Sequence, residues 1–127
     1  MSQLNEQTTT TTTTLAHTSP DYREARAKVP GYHFPDPWKV AGHLIGTRTI
    51  LEVIARRDRM AGTVGTVQVE HWDNETRYRK DPSKANAAAL VESRAKLAGV
   101  NAEHDAWSRA VYVARGRRDA LDTMTRG

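Results

Sequence analysis

At 127 residues, 38% hydrophobic and with eight aromatic side chains, the chain has material for one small helical domain, not for two domains or a large enzyme barrel. Charged residues make up 27% of it, and the +4 balance (pI 9.7) is a mild basic excess, short of the concentrated charge of a dedicated nucleic-acid binder. No cysteine is present and no apolar run approaches 18 residues, which excludes disulfides, thiolate metal sites, cysteine nucleophiles and a membrane-spanning helix.

The first 35 residues read as an extended, low-complexity N-terminal arm. Thr8 to Thr14 is a run of seven threonines set among Ser2, Gln3, Asn5, Glu6 and Gln7. Such a segment buries too little apolar surface to offset its ordering entropy, yet β-branched threonine favours extended backbone suited to adding a strand to a partner's sheet. Leu4 and Leu15 are its apolar contact candidates. Asp21 to Lys28 can form a short helix. From Val29 to Trp38 come three prolines with Tyr32, Phe34 and Trp38, an extended stretch whose rings either staple it to the protein's own helices or plug a neighbouring subunit. No charged-then-apolar leader pattern opens the chain, so secretion by a signal peptide is not expected.

Residues 36–127 read as a single small helical domain. Asp36 as cap and Pro37 in the first turn open a helix that Val40, Leu44, Thr47, Leu51 and Ile54 carry on one stripe to about Met60, with Gly62 placed to end it. Gly42 and Gly46 fall four apart within it. Between 63 and 80 the period changes toward 2. Val64, Thr66, Val67 and Val69, then Asp73-Asn74-Glu75, then Thr76 to Arg79 predict a β-hairpin near 65–80. Val67, Val69, Trp72 and Tyr78 are its contact candidates, because a lone hairpin is marginal in water and must pack on something. After Asp81-Pro82-Ser83 the chain is helical. Gly99, Val100 and Asn101 argue for an αα-hairpin turning there; the rival is one long helix, favoured by the series Leu90, Leu97, Val100, His104, Trp107, Val111, Ala114 and Leu121. The fold class is therefore mainly α: three to four helices with a β-hairpin and an extended arm.

Site chemistry is sparse. The five histidines do not pair at i, i+4, and Glu70, Asp73 and Glu75 read as solvated charge. No nucleotide-loop, nucleophile-elbow or zinc-protease spacing occurs, so neither catalytic nor metal residues are assigned and no cofactor is expected. Three basic clusters, Arg56-Arg57-Arg59, Arg77-Arg79-Lys80 and Arg115-Arg117-Arg118, would make a phosphate-binding face if the fold gathered them. The expectation is a non-enzymatic structural or assembly protein that binds other protein subunits, its own copies or a larger lattice, through its arm and hairpin. Fourteen arginines against five lysines, with 17 alanines, suit the GC-rich coding of a high-GC bacterium or one of its phages, while the threonine run, the Pro/aromatic linker, the marginal hairpin and the lack of an active-site constellation suit a phage virion accessory (a minor capsid or head–tail component), located in the virion or the bacterial cytoplasm. The alternative is a small basic nucleic-acid-binding or regulatory protein.

Overall fold

Ser19, Asp36, Thr49 and Ser83 each have a side-chain oxygen that accepts a backbone N–H of the helix turn that follows, and these caps divide the described chain. The computed structural model describes residues 17–31 and 35–126. It contains helices α1 (Pro20–Ala27), α2 (Pro37–Ile45), α3 (Ile50–Lys80) and α4 (Lys84–Arg126), and among the described residues no strand. The mainly α class holds.

The β-hairpin does not: residues 65–80 continue α3. The threonines and valines there have strand propensity, but burial follows a helical period. Met60, Val67, His71 and Asn74 are buried, and Val64 between them is half-buried, giving spacings of 4, 3, 4 and 3. Two of those positions are polar, which hid the repeat from an apolar count. Packing overrides local propensity once a partner helix covers the face.

The single helix expected from 36 to 60 is also corrected. Asp36 and Pro37 open α2 as read, with Trp38 N–H donating to Asp36 Oδ1 at 2.9 Å. Val40, Ala41, Leu44 and Ile45 are its buried face. It stops at Gly46, whose φ of +46° with ψ of −119° is backbone that only glycine adopts without strain. Thr49 then starts α3 anew, its Oγ1 accepting Glu52 N–H at 3.2 Å. Gly62, read as a terminator, sits inside α3.

Of the two readings for the last segment, the long helix is observed: α4 passes through Gly99 without a break. An αα-hairpin does exist, but its turn is Asp81-Pro82-Ser83. Asp81 N–H closes on Arg77 O, and Ser83 Oγ accepts Asn86 N–H to start α4. Residues 1–16 and 32–34 of the expected arm lie outside the described residues. Its middle, Ser19 to Val29, is folded: α1 forms where a short helix was expected, and Tyr22, Ala25 and Val29 are buried.

Contacts divide the chain into two units. One comprises Ser19–Met60 with Glu103–Gly127 and is called here the Trp107 unit. The other is centred on Ala61–Ala102 and is called the His71 unit. The two long helices contribute to both.

The His71 unit is an antiparallel pair of helices fastened by polar bonds at successive turns. Lys96 Nζ meets Glu70 at 3.1 Å, His71 Nδ1 meets Ser93 Oγ at 2.8 Å, and Asn74 Nδ2 donates to Ala89 O at 3.3 Å. His71 and Ser93 are buried, so a slip along the helices would strand their polar atoms at a cost of about 1–3 kcal/mol each. The polar pairs therefore hold the register.

The Trp107 unit packs α1 on α2 and buries Leu44, Val53, Trp107 and Val111 almost completely. Its centre is Glu103, 1% exposed. Oε1 accepts the Ser19 backbone N–H at 2.7 Å; Oε2 accepts Ser19 Oγ–H at 2.7 Å and Trp107 Nε1–H at 2.9 Å. A buried carboxylate is tolerated because three donors replace its water. The arrangement ties the start of α1 to α4.

Candidate interaction surface

Glu103 anchors Trp107, and Trp107 in turn supports a layer of arginines. The guanidinium carbons of Arg48 and Arg56 lie 5.7 and 6.0 Å from its ring centroid, and both arginines pair with Asp21 Oδ2, at 3.2 and 3.0 Å. Arg48 also donates to Leu44 O. This cluster is half-buried and internally satisfied, so Arg56 is structural and not a free phosphate ligand. Beside it, burial pushes the Tyr22 phenol above its ordinary value; Arg26 opposes the shift, and Glu103 and Asp105 add to it.

A different group stands at the surface of the same unit. Trp38, on the first turn of α2, is 48% exposed; Tyr112, on α4, is 72% exposed. Their ring centroids are 5.9 Å apart at 59°. Arg109, one turn before Tyr112, lies over the Trp38 ring at 4.8 Å and is steadied by Asp105 at 2.8 Å. The Asp36 cap and Pro37 fix the helix start that carries Trp38. Trp38 was a sequence candidate; Tyr112 and Arg109 were not, because nothing in chain order says that α2 meets this turn of α4.

Leu4, Leu15, Tyr32 and Phe34 lie outside the described residues. Of the hairpin candidates, Val67 is buried, while Val69, Trp72 and Tyr78 are exposed on α3. The basic clusters do not behave alike. Arg57 pairs with Asp58 and Arg59 is exposed; in the His71 unit, Arg79 lies 3.6 Å from Glu75 and Arg77 is exposed. Arg115, Arg117 and Arg118 are exposed along α4. Arg118 lines two neighbouring shallow grooves of about 370 and 400 Å³, the first with Arg115, Ile50 and Ile54, the second with Arg117, Ile45 and Leu121. Asp122 lines both and Asp119 the first, which dilutes the positive field.

The His71 unit contains one sequence of contacts with the look of a catalytic relay: Glu75 Oε1 is 3.0 Å from His71 Nε2, and His71 Nδ1 is 2.8 Å from Ser93 Oγ. Ser93 is 2% exposed, and its hydroxyl is also within reach of Leu90 O at 3.1 Å. A nucleophile must meet its substrate, and this one is sealed in a helix interface. Sequence reading missed the pair because residue 71 fell within the expected hairpin and nothing in chain order sets it beside Ser93. Among the described residues no three His, Asp or Glu side chains converge as a metal site, and no helix is long and apolar enough to cross a membrane. No family model, curated protein or solved structure matches this chain.

Proposed function

We propose that this chain is a non-enzymatic assembly protein that binds other protein subunits, and that the Trp38–Tyr112–Arg109 patch is a principal contact. The patch is the observation that carries the reading. Tryptophan, tyrosine and arginine are the residue types that dominate interface energetics, and here Tyr112 and Arg109 both touch Trp38 at the surface. Leaving a tryptophan half wet forgoes on the order of 1–2 kcal/mol of burial, which a partner would recover. Prior contact between the rings and Arg109 lowers the entropy lost on docking. The setting we propose is a phage virion, as a minor capsid or head–tail component; the threonine run and the proline- and aromatic-rich linker of the sequence are its support.

A second reading, nucleic-acid binding, draws on Arg115, Arg117 and Arg118 beside their grooves. It ranks lower because Asp119 and Asp122 share the site and Arg56 is already committed to Asp21. Photo-crosslinking from p-benzoylphenylalanine at position 112 in the source cells separates the two. A discrete protein adduct, lost in Trp38→Ala, is expected. A nuclease-sensitive adduct, or a protein adduct indifferent to Trp38→Ala, would overturn the proposal.

A further inference from the structure

The His71 unit offers a second surface, independent of the aromatic patch. Val69 and Trp72 are each 54% exposed on α3. With Gly62, Gly65 and Thr76 they form one stripe at spacings of 3, 4, 3 and 4, and every member is exposed. Val67, His71 and Asn74 occupy the opposite, buried face. A Cβ added at Gly62 or Gly65 would meet nothing within 4 Å. Packing within the chain therefore requires neither glycine, although each costs a helix interior about 1 kcal/mol relative to alanine.

The stripe is complementary to itself. Its two glycines are three residues apart, its two large apolar residues are three apart, and the pairs are centred on Val67. We propose that a second copy of this chain covers the stripe, α3 against α3 and antiparallel, about a two-fold axis near Val67. Trp72 of one copy then lies over Gly62 of the other, and Val69 over Gly65. A parallel pairing would instead set tryptophan on tryptophan and glycine on glycine, leaving a gap. Charge supports the antiparallel form. About that axis Glu70, Asp73 and Glu75 fall opposite Val64, Ala61 and Arg59, whereas a parallel pairing sets each acid opposite itself.

Area sets the strength. Half a tryptophan and half a valine expose on the order of 200 Å² per copy, against about 800 Å² per partner in a standard interface. The dimer is accordingly weak and forms only in concentrated protein.

The chain has no cysteine, so a nitroxide on a single Arg77→Cys reports the geometry in the full-length protein. Arg77 is exposed and lies ten residues beyond the axis. Antiparallel pairing places the two labels about 30 Å apart along the helices at 1.5 Å per residue; parallel pairing places them about 10 Å apart. Double electron–electron resonance at about 0.5 mM protein is expected to show the longer distance. The same label in a Gly65→Gln background should lose it, while thermal stability in dilute solution is kept or raised because glutamine is the better helix former. An absent dipolar signal, a distance near 10 Å, or a signal unchanged by Gly65→Gln would each overturn the proposal.

Discussion

Changing Glu103 to glutamine alters one atom, and the structure says which bond must fail. Oε1 accepts from the Ser19 backbone N–H, while Oε2 accepts from Trp107 Nε1–H and Ser19 Oγ–H. The serine hydroxyl can rotate to accept, but the indole and the backbone amide only donate. Glutamine has one acceptor oxygen, so whichever donor-only group faces its NH₂ is left unpaired in a buried site. An unsatisfied buried donor costs about 1–3 kcal/mol, and loss of the charge-assisted bonds adds to it, so Glu103→Gln should destabilise by about 2–4 kcal/mol. Urea denaturation followed by far-UV circular dichroism measures this; at a slope of about 2 kcal/mol per molar the midpoint falls by about 1–2 M. Asp105→Asn, one turn from Trp38's arginine partner and about half exposed, is the control and should cost less than about 0.5 kcal/mol. A Glu103→Gln midpoint equal to that of the control would refute the account of the hub.

Three further outcomes follow from named contacts. Gly46→Ala forces a Cβ onto φ +46°, ψ −119° and should lower stability by about 1–3 kcal/mol in the same urea titration; a neutral result would mean that the turn between α2 and α3 relaxes freely. Ser93→Ala leaves buried His71 Nδ1 without its partner and should cost about 1–2 kcal/mol, whereas a loss below about 0.3 kcal/mol would show that the pair does not hold the hairpin. Tyr22 has a folded pKa raised above the usual 10.0, so the folded chain keeps this proton to higher pH than the unfolded one. Its contribution is intact below pH 10 and is lost as pH rises through the raised value. Measured from pH 7 to 11, stability should therefore fall faster in the parent than in Tyr22→Phe above pH 10; parallel curves would contradict the burial of the phenol.

Elements that announce themselves locally were legible in the sequence. Asp36-Pro37 opens α2, Asp81-Pro82-Ser83 separates the long helices, and the helical reading of Asp21 to Lys28 matches α1. The misses at the hairpin and at Glu103 share one cause: decisive partners distant in chain order. His71 and Asn74 read as strand and turn of a hairpin until Ser93 and Ala89 O are placed beside them, and without those two positions the helical period of residues 60–74 looks like a strand. Glu103 reads as an acid in the first turn after an expected break at Gly99 until Ser19 and Trp107 close on it, although its place four residues before a tryptophan was a usable signal. The break at Gly46 was signalled too, by Thr49 three residues before Glu52, a capping pair that the apolar stripe through Thr47 and Leu51 concealed. Gly99 carries the opposite lesson. It has a good helix-ending neighbourhood, yet the helix continues through it with Gly99 and Val100 buried.

Action through apolar protein contacts, not through phosphate, is tested most directly by light scattering behind size-exclusion chromatography on nuclease-treated full-length protein, across concentration and at low and high salt. The predicted result is a mass that climbs from 14.2 kDa toward twice that value as concentration rises, equally at both salts. A chain that stays at 14.2 kDa at every concentration would contradict the α3 pairing, and an assembly that dissolves in high salt or after nuclease would contradict action through apolar contacts.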